Sequence, residues 1–287
     1  MTEFRSDRIA TLYFFHPVRQ LVRSEAPGLP ILMYHRVPKD DDCATHPYYC
    51  TSTAIRVFEQ QVGFLRQAGY RAVGVTEAFQ SVQTGVAREK LVAITFDDGY
   101  QDFYTNAFPI LNRYGYSATV FLPTAYIGDS PRRFNDLECL TWGQVRELRK
   151  AGVEFGSHTV THPQLSGVGP EQLREEITAS KAQIEEKLGE PVEAFSYPYA
   201  FPETDSEFVG RLRGVLQDAG YVGGVSTIIG RVGNLDNRFF MRRLPVNSHD
   251  DRHFFQAKLE GAYDWLHTMQ YVAKLKGGRR ESQPKDI

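Results

Sequence analysis

The chain has 287 residues, 41% of them hydrophobic, enough for one large core or two small domains, and one domain is the expectation. Its 33 Lys and Arg against 35 Asp and Glu leave a formal net charge of -2, which argues against a dominant electrostatic attraction to nucleic acid, and no nucleic-acid partner is expected. Cys43, Cys50 and Cys139 form an odd set with no Cys-x-x-Cys pair, so no disulfide framework is expected. Cys43, His46 and Cys50 lack a fourth ligand and zinc-site spacing, and read as an ordinary loop.

The first residues, Met1 to Asp7, mix acidic and basic groups and no long apolar run follows, so neither a signal peptide nor a transmembrane helix is read there. With Met1 as the native start the expectation is a cytoplasmic protein; a chain trimmed of its leader would be secreted or belong to the cell envelope. Residues 8 to 23 set Ile9, Leu12, Tyr13, Leu21 and Val22 among Arg8, Arg19 and Arg23, with Pro17 interrupting. A short helix packed on the body is favoured by the proline and the mixed pattern, and an interfacial segment in peripheral contact with a membrane is the alternative. Ala26-Pro27-Gly28-Leu29-Pro30 reads as a linker, making residues 1–28 an N-terminal extension.

From Ile31 onward short apolar runs alternate with amphipathic stretches, the pattern of a βα repeat around a parallel sheet. Candidate strands are Ile31 to His35, Arg71 to Val75, Leu91 to Phe96, Ser117 to Leu122, Val153 to Ser157, Ala194 to Tyr197, Tyr221 to Ser226 and Phe239 to Arg243. Ile55, Phe58, Val62 and Leu65 share one helical face, as do Leu173, Ile177, Ile184 and Leu188, the second helix opening on Pro170 after Gly169. Asp251 to Lys276 reads as one helix closing over the body, so the catalytic domain is expected at 29–276 and a polar tail at 277–287. Trp142, Trp265 and most of the 19 Phe and 15 Tyr are assigned to the core.

The chemistry concentrates in two segments. The apolar run Leu91-Val92-Ala93-Ile94-Thr95-Phe96 ends in Asp97-Asp98-Gly99, and two adjacent carboxylates at the mouth of a core require a counter-charge, hydrogen bonds or a metal. Downstream, Gly156-Ser157-His158-Thr159-Val160-Thr161-His162-Pro163 supplies two imidazoles four residues apart. Taken alone, Asp-Asp-Gly is commonly a turn and a His pair is commonly solvated. Their joint occurrence at the ends of candidate strands favours one cation held by Asp, His and His, with positions left for water. An open doubly wound sheet fits the alternation too; convergence of Asp97, Asp98, His158, His162 and Tyr199 on one point favours a barrel.

Thr95-Phe96-Asp97-Asp98-Gly99, Ser157 to His162 and Phe195-Ser196-Tyr197-Pro198-Tyr199 resemble the three motifs of the polysaccharide deacetylases that share the NodB homology domain, carbohydrate esterase family 4. The likeness extends over roughly residues 29 to 250. Ile31-Leu32-Met33-Tyr34-His35-Arg36-Val37 resembles the branch of poly-N-acetylglucosamine deacetylases. The resemblance implies an α/β fold, a distorted (β/α)7 TIM-like barrel. It implies a divalent metal, zinc foremost, on Asp98, His158 and His162, Asp97 as general base, and the Tyr199 backbone N–H at the oxyanion. The general acid is His35 or His249; the absence of a Leu-x-His form at Leu244-Pro245-Val246 favours His35. Ser196 stands where the family keeps an Arg, so Arg242 or Arg243 is the candidate partner of Asp97. The implied activity is removal of N-acetyl groups from an N-acetylated carbohydrate. The alternatives are a deformylase or other small-amide or imide hydrolase, and a glycan-binding pseudoenzyme.

Overall fold

A computed structural model describes residues 5–22, 28–43, 46–84, 90–233 and 236–281. Each of the eight apolar runs forms a strand: β1 (Ile31–Tyr34), β2 (Arg71–Val73), β3 (Leu91–Phe96) and β4 (Thr119–Leu122), then, beyond a hairpin of β5 (Arg133–Phe134) and β6 (Leu137–Glu138), β7 (Glu154–Ser157), β8 (Ala194–Ser196), β9 (Gly223–Ile229) and β10 (Met241–Pro245). Seven of them close a parallel ring in the order β1-β3-β4-β7-β8-β9-β10, with β10 returning to β1. The fold is the distorted (β/α)7 barrel.

The distortion sits on one edge of β3. Its first residues pair with β2, from Arg71↔Leu91 to Val73↔Ala93, and its later ones with β1, from Ile31↔Ala93 to Tyr34↔Phe96. Each strand of a parallel barrel is covered on both faces, which is why all six residues of β3 are buried and why the run reads as nearly continuous hydrophobicity. Ile31, Ala93, Phe121, Ala194, Val225 and Met241 belong to the smaller of two apolar clusters; the alternate residues Leu32, Ile94, Val120 and Phe195 join the larger cluster under the helices. Two residues further along the inward rows, Ala93 gives way to Thr95, Ala194 to Ser196 and Met241 to Arg243. Period-two alternation thus delivers polar groups to the C-terminal mouth of the barrel.

Both expected helices form, Ile55–Gln67 and Pro170–Leu188, the latter with Gly169 as its N-cap residue and Pro170 in its first turn. Three expectations change. The closing segment is two helices, Arg252–Leu259 and Trp265–Glu281, separated where Gly261 takes φ +83°, a left-handed conformation that ends a helix. The second helix continues through Glu281, so the expected tail begins later than residue 277; residues 282–287 lie outside the described residues. Residues 6–22 are helical across Pro17, with a π-type stretch, Thr11–Phe15, just before it that relaxes the hydrogen-bond ladder where the proline has no N–H to give. Much of the expected linker, residues 24–27, lies outside the described residues.

A buried ionic network locks that N-terminal segment to the closing helix. Lys258 donates to Asp250 Oδ2 and to the Pro245 carbonyl, each at 2.7 Å, while Arg5 sits 3.5 Å from the other Asp250 oxygen and bonds Asp7, which also accepts from Tyr263 at 2.8 Å. Burial pulls the Lys258 ammonium below its usual range, opposed by Asp250. Lys258→Met would leave Asp250 with one distant counter-charge, and a loss of about 3 kcal/mol or more is expected in urea unfolding. A change under about 0.5 kcal/mol would show that the network carries no net stability.

Candidate active site

Asp97 and Asp98 follow β3 but point to different partners because Asp98 adopts φ +70° and Gly99 φ +59°. A Cβ at Gly99 would come within 2.8 Å of Leu122 Cδ2, so glycine is required by both conformation and space. The turn sends the first carboxylate into the barrel and the second across its mouth.

His158 follows β7, its Nδ1 donating to the Ser196 carbonyl at 2.8 Å, which leaves Nε2 as an acceptor. Thr159 at φ +70° and His162 at φ +56° shape the loop, with the His162 N–H donating to Thr159 Oγ1 at 3.0 Å. Asp98 Oδ1 lies 3.5 Å from His158 Nε2 and 3.4 Å from His162 Nε2, and the two imidazole nitrogens are 3.2 Å apart. Donors bound to one tetrahedral ion at about 2.0–2.1 Å lie about 3.3–3.4 Å from each other, so this triangle has the dimensions of three corners of such a site. Asp98 Oδ1 is also buried and meets no hydrogen-bond donor among the described residues, an expense that a cation would relieve. The residues therefore fit a divalent metal.

Electrostatics favour the ligand forms of Asp98 and His162. Burial pushes the Asp98 carboxyl up, but His158, His35 and His162 outweigh it and hold it below the usual range. Burial and the neighbouring His158 push the His162 imidazolium down to about 4, so that ring is neutral at pH 7. His158 is raised, its burial outweighed by Asp97 and Asp98.

Asp97 is gripped by Arg243, the fully buried guanidinium on β10, with Nη1 to Oδ1 at 2.8 Å and Nη2 to Oδ2 at 2.7 Å. Ser196 donates to Asp97 Oδ1 at 3.2 Å, and Arg243 also donates to Thr95 Oγ1 and to the Ser226 carbonyl. Burial would raise the Asp97 carboxyl; Arg243 first, then His158 and His35, hold it well below the carboxylate range. Between the two sequence candidates, the structure brings Arg243 to Asp97 and pairs Arg242 with Asp236 at 3.2 Å.

The two candidate acids separate cleanly. His35, directly after β1, places Nε2 3.9 Å from Asp97 Oδ2 in a cleft of about 750 Å³ that also contains Asp98, His158 and His162. His249 lies instead beside the Cys43–Cys50 pair, its ring nitrogen within 4.8 Å of both sulfurs. Those cysteines form a disulfide, correcting the expectation of none: the loop returns on itself so that their Cα atoms lie 5.8 Å apart, a proximity that sequence separation does not disclose. His46 accepts from the Tyr48 N–H within the same loop. Tyr199, at φ +58°, sets its ring 4.7 Å from that of His162, and its N–H meets no acceptor among the described residues.

Residues 84–222 match the family model described as polysaccharide deacetylase. Over that stretch the chain is similar to the polysaccharide deacetylases. It is 29% identical over 245 residues to the Bacillus subtilis protein YxkH, named as a polysaccharide deacetylase, covering 83% of this chain and 79% of that one. It is 24% identical over 257 residues to the poly-beta-1,6-N-acetyl-D-glucosamine N-deacetylase of Staphylococcus aureus, covering 84% and 86%. Among solved structures, the Streptococcus pyogenes deacetylase PplD in complex with acetate shares the fold with a TM-score of 0.70 at 23% identity, over 82% of this chain and 99% of that one.

The site also uses a residue that the sequence reading missed. Glu176 in helix Pro170–Leu188 accepts from the Val160 and Thr161 N–H groups at 2.8 and 2.9 Å and from the Thr161 hydroxyl at 2.6 Å, fixing the loop between the two histidines. A carboxylate inside the apolar stripe of Leu173, Ile177 and Ile184 is the signal that could have revealed it.

Arg243→Met is expected to cost about 3–5 kcal/mol at pH 7 by stranding a buried carboxylate. Because Arg243 depresses the Asp97 pKa, the stability it confers is complete above the unfolded value of about 4 and is lost as pH falls below it. The gap between wild type and variant in urea unfolding should therefore narrow as pH is lowered; a gap independent of pH would contradict the pairing.

Proposed function

We propose that the cleft hydrolyses the acetamido group of an N-acetylated sugar, as a divalent-metal-dependent N-deacetylase acting on a glycan of the poly-N-acetylglucosamine type. One observation carries the reading: the triangle of Asp98, His158 and His162 lies in the same cleft as an Arg-clamped carboxylate and an unclamped histidine. A metal bound there acidifies a coordinated water and polarises the amide carbonyl.

Asp97, kept anionic, accepts a proton from the attacking water as oxygen adds to the carbonyl carbon. The Tyr199 N–H donates to the developing oxyanion. Collapse breaks the C–N bond as His35 gives a proton to the departing sugar amine, and the proton held by Asp97 passes to His35, returning both residues to their starting states. Acetate and a glucosamine unit leave. Tyr48, Tyr49 and Tyr199 line the cleft and offer aromatic faces to sugar rings. The name of the Staphylococcus aureus relative, which matches over most of both chains, supports this substrate class.

The test is acetate release from a β-1,6-linked N-acetylglucosamine oligomer. Asp97→Asn should retain metal and lose roughly a hundredfold or more in rate. His35→Ala should fall comparably with metal content unchanged, whereas His249→Ala, altering a ring outside the cleft, should stay within about threefold of wild type. Normal turnover in Asp97→Asn, or a severe defect confined to His249→Ala, would overturn these roles. Cleavage of a formamide or cyclic imide with no acetate from the sugar oligomer would overturn the substrate class.

A further inference from the structure

Two groups of side chains among the described residues bring three metal-ligating atoms within 4.8 Å of one another. Asp98, His158 and His162 make up the first. The second is Cys43, Cys50 and His249, none of which lines the catalytic cleft. Its two cysteines are joined as a disulfide, and its histidine carries an expense: His249 Nε2 is buried and meets no hydrogen-bond partner among the described residues. A ring nitrogen withheld from water and left unpaired is costly, and coordination to a cation relieves that cost.

Bonds that involve no sulfur hold this group together. Asn247 Nδ2 donates to the Pro47 and Cys50 carbonyls at 2.8 and 3.0 Å, and the His249 N–H donates to Asn247 Oδ1 at 2.9 Å, so one buried side chain fixes both the cysteine loop and the histidine. Ser248 ties the same turn to the segment after Cys50, its N–H donating to the Ser52 carbonyl at 3.1 Å and its hydroxyl accepting from the Ala54 N–H at 2.7 Å. On the other side Arg36 pairs with Asp42, next to Cys43, at 2.6 Å, while its carbonyl accepts from the Thr53 N–H at 3.0 Å. Opening the S–S bond therefore frees two sulfurs without dispersing the three residues.

We infer that in the reduced protein Cys43, Cys50 and His249 bind a second divalent metal, of the thiolate-seeking kind that zinc exemplifies, with water in the remaining position. A dithiol supplies two electrons and two protons and becomes a disulfide itself, while Cys43 and Cys50 become thiols. Each thiol then gives its proton to solvent as its sulfur coordinates. Two sulfurs on one tetrahedral zinc stand about 3.8 Å apart, a separation open to them once the covalent bond is gone. Sequence spacing hides the set because its third ligand arrives after β10, the last strand of the ring. Either cross-link, covalent or coordinate, fastens the loop that presents Tyr48 and Tyr49 to the cleft. None of the three residues enters the deacetylase roles, so the site stands whether or not those roles hold.

Cobalt(II) is the probe, because a thiolate ligand gives it a strong near-ultraviolet charge-transfer band that carboxylate and imidazole ligands do not. The full chain, stripped by a chelator with its disulfide intact, should take up one ion without that band. After reduction by a water-soluble phosphine, which becomes its oxide, the chain should take up two ions, the second with the band, and zinc should erase it. Cys43→Ser and Cys50→Ser combined should abolish the band and the second ion, as should carboxamidomethylation of the reduced wild type, whether or not the double variant folds. His249→Ala should weaken the second ion by at least about tenfold, the loss that even a change behind a ligand produces. Asp98→Ala should keep the band, because the two sites share no residue. One ion and no band in the reduced protein would overturn the inference, as would a second ion held as tightly by His249→Ala as by the wild type. Loss of the near-ultraviolet circular dichroism on reduction would also overturn it, since the group would then depend on the disulfide for its assembly.

Discussion

The buried pair of Arg243 and Asp97 is the constraint on which the site depends. A carboxylate inside the ring requires a counter-charge, and Arg243 supplies it through two hydrogen bonds while also holding Thr95 on β3, Ser196 at the end of β8 and the Ser226 carbonyl on β9. Four of the seven ring strands are thereby tied at one level, just below the triangle of Asp98, His158 and His162. The same pair lets two adjacent carboxylates differ. Asp97 is neutralised by a fixed cation and stays within reach of His35; Asp98, turned away by the left-handed residues at 98 and 99, has only imidazoles to face. Division of labour between neighbours in sequence is a consequence of backbone conformation.

Strain follows the same map. Asp98, Thr159, His162 and Tyr199 are non-glycine residues with positive φ, and all four are at or beside the cleft. Such conformations cost of order 1–3 kcal/mol each and persist where surrounding bonds over-determine them. Here those bonds include Thr159 to the His162 N–H, Glu176 to the loop between the histidines, and Thr227 to the Tyr199 carbonyl.

The barrel was legible in the sequence because strands buried on both faces appear as apolar runs, and eight such runs separated by helical spacings leave few architectures. The polar motifs were legible because charge at the end of such a run has few structural uses. What escaped has physical reasons. Arg242 and Arg243 are adjacent on a strand, so they point to opposite sides, and only the register, which shifts between Met241 and Arg243, decides which faces inward. The Cys43–Cys50 disulfide and the displacement of His249 from the cleft depend on a loop path with no periodic signal. Strands β5 and β6 have two residues each, too short for alternation to register, although they bring Phe134 to 5.0 Å from the His162 ring. Gly261 did mark the break between the closing helices and was overlooked within a long apolar pattern.

The central claim is that one divalent ion on Asp98, His158 and His162 is required for amide hydrolysis, and a stoichiometric titration tests it most directly. Protein stripped by a chelator and then dialysed should release no acetate from an N-acetylglucosamine oligomer, and each addition of zinc should restore rate and protein-bound metal together until both saturate at one ion per chain. An undiminished rate in the stripped protein, or saturation of the rate without bound metal, would contradict the account.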